Sequence, residues 1–276
     1  MKTLLHMKGR HVGRTAEEIL AFLDHRGIQD AVPRYLRRTQ DLHRLQEQFE
    51  KSGRYAASSY AEVPSLDLES YNLALLLSFV VTVHRFEILE RLIEFLGLPS
   101  AGPSRLLSVG YGTGYELKLA RQHLQDWEIQ AFECSPEVAA YAHDLLTFFG
   151  QSTDCLRVEE FPLENERGIE THEGRFGKAV LCEILEHLER PDKALRNMRR
   201  VLHPEGHVFL TMAINIAQED HVFLYRTPEA AREQVVEAGL RPVHEWVAPV
   251  TVFPFDESNR RKIFKKGNYI CVATPA

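Results

Sequence analysis

Residues 106–116 read Leu106-Leu107-Ser108-Val109-Gly110-Tyr111-Gly112-Thr113-Gly114-Tyr115-Glu116, and the reading of this stretch decides the fold. A short apolar run feeds three glycines at alternate positions, and a helix-compatible segment follows from Glu116 to Leu124. A buried strand, a tight glycine turn and a helix start form the local geometry that brings backbone amides up to a nucleotide-like ligand. The spacing is G-x-G-x-G. A dinucleotide fingerprint needs G-x-G-x-x-G, and Tyr115 stands at its third glycine position, which argues against a nicotinamide oxidoreductase.

Downstream of residue 104 the pattern alternates between strands and helices. Strands are expected at 105–110, 128–133, 155–158, 178–183, 207–214, 244–250 and 269–274, and helices at 116–124, 136–148, 192–201 and 228–238. Helices between the early strands point to a doubly wound α/β sheet. Gly239 is placed to end the last of these helices. No helical pattern separates the last two strands, only the loop Phe253 to Asn268, so they are expected to pair antiparallel. Upstream, residues 15–52 are helical in pattern with an interruption at Pro33, and Ser52 to Tyr60 is small, polar and expected to be mobile. Residues 68–97 read as one long helix or two, and 98–103, rich in proline and glycine, as a linker. The expected division is 1–103, a helical cap, and 104–276, the α/β domain.

Composition narrows the classes. The chain has 276 residues, 44% hydrophobic and 26% charged, with a net charge of −6. That is ordinary for a soluble globular protein and gives no overall drive toward nucleic acid or anionic membrane. The basic groups Arg196, Arg199, Arg200 and Arg260, Arg261, Lys262, Lys265, Lys266 read as a solvated face and an exposed loop. Four cysteines, 134, 155, 182 and 271, form no C-x-x-C pair and read as free thiols in a reducing compartment. The apolar run near the N-terminus is too short for a signal peptide, and Leu73 to Val83 is too short to span a bilayer, so a cytoplasmic protein is expected. The expected partner is a small molecule, with no nucleic acid and no membrane; the oligomeric state has no signal in the sequence.

Candidate ligand groups follow the strands. Glu133 closes the second strand, 19 positions after Gly114, where an acid can accept both ribose hydroxyls of a nucleoside. Glu159 and Glu160 follow the third strand, and the fourth runs into Glu183-Ile184-Leu185-Glu186-His187-Leu188-Glu189-Arg190-Pro191. The glycine spacing and the E-x-L-E-H-x-x-x-P string together resemble the class I S-adenosylmethionine (SAM) dependent methyltransferases of the small-molecule type, over about residues 104–240. The resemblance implies a Rossmann-like fold, a seven-stranded mostly parallel sheet with an antiparallel last strand, and an N-terminal helical cap over the ligand edge. It also implies SAM as cofactor, held by Ser108, Gly110, Tyr111, Gly112, Gly114, Glu133, Glu159 or Glu160, and Glu183. Ser108 departs from the pattern, because the family usually carries Asp or Glu there.

The carboxyl ends of strands line the ligand crevice of an open α/β sheet, so His187, Asn215 and His221 are the catalytic candidates. Gln218 and Tyr225 are candidates to meet the substrate, with Tyr55, Tyr60 and Tyr71 as lid residues whose rings would attract a sulfonium. With His221 or His244 added, Glu183, Glu186 and His187 offer a carboxylate–imidazole mix that suits a divalent ion, but the reading adopted is a wall of the reaction site with no metal. Methyl transfer to a specialised metabolite is the leading expectation. The missing acid at Ser108 supports another, in which a less basic methionine amine attacks its own γ-carbon and releases methylthioadenosine and azetidine-2-carboxylate, as in azetidine-2-carboxylate synthases. A SAM-binding module without catalysis is the third.

Overall fold

The structure, a computed structural model, describes residues 10–250 and 266–276. The basic loop residues Arg260, Arg261, Lys262 and Lys265 lie outside the described residues, as do the first nine residues of the chain. Seven strands form one sheet: β1 (Arg105–Val109), β2 (Glu128–Glu133), β3 (Leu156–Val158), β4 (Phe176–Leu181), β5 (Leu202–Ile214), β6 (Leu240–Pro249) and β7 (Gly267–Pro275). Their order is β3-β2-β1-β4-β5-β7-β6. The first five pair in parallel, and β7 runs antiparallel to both β5 and β6. The order reverses between β1 and β4, and at such a switch point the carboxyl ends of the strands open a crevice for ligands.

Four helices precede the sheet: α1 (Arg10–His25), α2 (Ala31–Ser52), α3 (Leu68–Val81) and α4 (Val83–Gly97). Helices α5 (Tyr115–His123), α6 (Pro136–Phe148), α7 (Pro191–Val201) and α8 (Pro228–Glu237) connect the strands. The amphipathic α7 turns Ala194, Leu195, Met198 and Val201 inward. By contrast α3 is apolar around its circumference, because α1, α2, α4 and α6 surround it. The helix α4 rests on β5, β6 and β7, so the helical layer and the sheet share one apolar core.

Several boundaries differ from expectation for local reasons. Pro33 does not break a helix; it sits in the first turn of α2, where its missing N–H costs nothing, and the break falls at Arg26 to Asp30 around Gly27. The predicted mobile segment is tied down. Tyr55 packs on Phe49 and His221, and Tyr60 to Glu62 forms a short 3-10 helix whose Tyr60 N–H donates to Glu189 at 2.8 Å. The fourth strand ends at Leu181, not Glu183, because Glu183 turns into positive φ at 55°. The fifth starts at Leu202 and not at 207, its first residues forming a bulged strand segment. Gly206 permits it, since a Cβ there would stand 2.9 Å from the Phe176 carbonyl oxygen. No helix among the described residues is long and apolar enough to cross a membrane.

Candidate active site

A cavity of about 550 Å³ opens at the carboxyl ends of β1, β2 and β4. Its floor is the turn after β1. Gly110, Gly112 and Gly114 have φ of 67°, 50° and 81°, a left-handed run that only glycine adopts without strain. A Cβ on Gly110 would stand 2.0 Å from Ile184 Cδ1, and one on Gly114 2.9 Å from Ala142 Cβ. At Gly112 nothing lies within 4 Å, so backbone there faces open space. Gly110, Tyr111, Gly112 and Thr113 line the cavity, whereas Gly114 starts α5 and stands back.

One side of the cavity is acidic and apolar. Glu133 reaches it from the end of β2, its Oε1 accepting the Ser135 N–H at 3.1 Å. Glu159, Glu160 and Glu164 edge it, and the buried Phe132, Phe161 and Leu163 add apolar lining. Both Glu159 and Glu160 are exposed at this rim, so the two remain equivalent candidates.

The far end is built from paired charges. Arg85, at the start of α4, meets Glu183 Oε2 at 3.1 Å, and their side chains are only 10% and 14% exposed. Burial works against both charges, yet the pairing wins: the guanidinium is held above its ordinary pKa and the carboxyl below its own. The Thr211 hydroxyl donates to Glu183 Oε1 at 2.7 Å and accepts the Glu183 N–H, and Asn268 Nδ2 donates to the same carboxylate oxygen at 2.6 Å. These bonds hold Glu183 in its unusual backbone conformation. Glu116 also faces the cavity, its carboxyl raised by burial and moderated by Arg85. Ser108 does not reach the cavity. It is buried within β1, in register with Ala131 and Val180. The electrostatic argument from its missing acid therefore loses its footing, because Glu116 and Glu183 bring carboxylates to this end of the cavity.

The remaining wall carries His187. It sits in a single 3-10 turn after β4, its Nδ1 3.0 Å from the Asp220 carbonyl oxygen and 3.4 Å from Asp220 Oδ2. Those acceptors fix the proton on Nδ1 and leave Nε2 as the basic nitrogen. Tyr71 donates to Asp220 Oδ2 at 3.1 Å. Tyr60, Tyr71, Gln218 and Asp220 line the cavity with His187, and Leu75 and Phe79 of α3 close over it.

Five further candidates stand elsewhere. His221 is 1% exposed, behind His187, with their ring centroids 4.8 Å apart. Asn215 spends its amide on the Arg226 carbonyl at the end of β5. Tyr225 is buried and donates to Gln234, and Tyr55 packs behind the wall. His244 lies on β6, stacked on Trp246, away from Glu186 and His187. Conversely Arg85, Asp220 and Thr211 carried no motif. Only a charged residue inside an apolar helical run, as Arg85 is, offered a signal.

The family model of a methyltransferase domain matches residues 82–252. No curated protein sequence matches the chain. Among solved structures, the mitomycin 7-O-methyltransferase MmcR is 14% identical with a TM-score of 0.55, over 85% of this chain and 68% of that one. A geranyl diphosphate methyltransferase in complex with geranyl diphosphate and sinefungin is 13% identical, TM-score 0.53, over 82% and 91%. The [4+2]-cyclase SpnF is 18% identical, TM-score 0.50, over 67% and 80%. At these identities the likeness is one of fold, and the fold carries more than one chemistry.

Proposed function

Because the chain belongs to the SAM-dependent class I methyltransferase family, with SAM as its cofactor, we propose that it transfers the methyl group to a small, partly apolar acceptor. The observation that carries this reading is the single cavity joining the glycine turn and Glu133 to the His187–Asp220 wall. Its volume lies within the roughly 300–1,000 Å³ of small-ligand sites.

The residues fit the cofactor group by group. Backbone of Gly110 to Thr113 borders the space, and the Glu133 carboxylate can accept two ribose hydroxyl protons. Phe132, Phe161 and Leu163 offer a surface for a flat base, with Glu159 or Glu160 to accept from its amine. Arg85 can pair a carboxylate, while Glu116 and Glu183 attract an ammonium. When bound, SAM supplies a methyl group already activated on a sulfonium.

The protein's work is then orientation, exclusion of water and proton removal. Leu75, Phe79 and Tyr71 hold an acceptor against the glycine turn. His187 Nε2 takes the acceptor proton as the new bond forms, and the Asp220 carboxylate stabilises the resulting imidazolium. Two structural neighbours named as methyltransferases of mitomycin and geranyl diphosphate support a small acceptor, and a specialised metabolite suits the enclosed apolar wall. The test is incubation with SAM and a panel of hydroxylated small molecules. S-adenosylhomocysteine formed only with an acceptor is the expected result. Methylthioadenosine formed from SAM alone would instead establish self-cyclisation.

A further inference from the structure

Behind His187, three side chains converge with no donor among them. Glu186, His187 and His221 each place one ligand-type atom within 4.8 Å of the others. Glu186 is fully buried, and among the described residues neither of its carboxylate oxygens has a hydrogen-bond partner. His221 turns its Nδ1 to the Ile216 carbonyl oxygen at 2.8 Å, which leaves Nε2 as a buried, unpartnered lone pair. His187 is fixed in the same sense by Asp220. Two imidazoles oriented through Nδ1 and a carboxylate with bare oxygens make an acceptor-only pocket.

Such a pocket is costly to leave empty. An unpaired buried polar atom has given up its bonds to water for nothing, and three converging lone pairs also repel. Carbonyl and carboxylate partners on one ring nitrogen of a histidine orient the other toward a cation. Asp220 Oδ1, also buried and unpartnered, and the Tyr55 hydroxyl complete the surroundings.

We propose that Glu186, His187 and His221 bind one divalent transition-metal ion in the wall of the reaction cavity. Two imidazoles with one carboxylate favour a borderline ion such as Zn²⁺, Mn²⁺, Fe²⁺ or Co²⁺ over Mg²⁺ or Ca²⁺, which prefer all-oxygen sites. Three protein ligands leave coordination positions open, and His187 is the member of the trio that lines the cavity, so an acceptor oxygen is the natural further ligand. An ion there takes up the Nε2 lone pair, so His187 serves as the base only in the ion-free protein and as a ligand in the loaded one. This runs against the sequence expectation of no metal, which treated Glu183 as a member of the cluster. Glu183 is instead committed to Arg85, Thr211 and Asn268.

The test uses the full chain, stripped with chelator and titrated with Co²⁺. One equivalent should bind and develop visible ligand-field bands, and Zn²⁺ should displace it. Glu186→Gln and His221→Gln should each weaken Co²⁺ binding at least tenfold, while SAM affinity, measured in parallel, stays within about twofold. Absence of saturable binding by the wild-type chain would overturn the proposal. So would equal Co²⁺ affinity in Glu186→Gln, which would mean that a proton shared by the carboxyl satisfies the pocket. Because SAM binding is read separately, failure of the metal site is distinguishable from failure of the methyltransferase reading.

Discussion

The two halves of the cavity are made differently. The half proposed to hold the cofactor, from Gly110 to Leu163, is backbone and acids: a glycine turn, Glu133 at a strand end, and exposed Glu159 and Glu160. The acceptor half is assembled from side chains far apart in sequence, including Tyr71, Arg85, His187 and Asp220, and it holds most of its charge below the surface. The first half is local geometry with an exposed rim. The second is a tertiary construction, in which removing one partner strands another.

That contrast can be broken most severely at His187. Replacement by Ala should lower kcat by about 10²–10⁴ while leaving SAM affinity nearly intact, as expected of a general base. Steady-state kinetics beside a SAM titration would check this, and an unchanged kcat would move proton removal elsewhere. Arg85→Ala should come next, because it leaves Glu183 as a buried charge without its ion-pair partner. Loss of one member of such a pair costs about 3–5 kcal/mol, seen as a large drop in denaturant midpoint. Loss below about 1 kcal/mol would mean that water satisfies Glu183.

A smaller effect sharpens the cofactor half. Gly114→Ala forces a side chain into φ 81° and against Ala142, so destabilisation of about 2 kcal/mol or more is expected by chemical denaturation. The gentlest probe is pH. His84, on α4, has its pKa pressed to about 3 by burial and by neighbouring Arg85 and Lys266, with Glu183 opposing. Its folded pKa lies below the ordinary 6.5, so the unfolded chain binds the extra proton. Stability should therefore fall as pH drops below about 6.5, by at most ~1.4 kcal/mol per unit from this group. His84→Gln should flatten that slope between about pH 6 and 4.

The same contrast explains what could be read in advance. The α/β order and the antiparallel end were legible because each rests on a local pattern, and so was the placing of Gly110, Gly112 and Glu133 around one cavity, from a glycine turn and an acid closing β2. Helix starts shifted where a proline was taken for a breaker when it stood in a first turn, as Pro33 does. The acceptor half was legible only in part. His187 stood out beside its acids, but nothing near it in sequence announces Asp220, and Asn215 was drawn away by the Arg226 carbonyl. Ser108 supported a second reading as a missing charge, yet it is buried within β1, and the carboxylates lining this end of the cavity are Glu116 and Glu183, an arrangement that only tertiary structure brings together.

The central claim is that this cavity holds SAM, with Glu133 at the ribose. Calorimetric titration of SAM into the wild-type chain and Glu133→Ala tests it most directly. One site per chain is expected, with a tenfold to hundredfold weaker affinity in the variant, about 1.5–3 kcal/mol for charge-assisted hydrogen bonds, at an unchanged melting temperature. Equal affinity in the two proteins would contradict it.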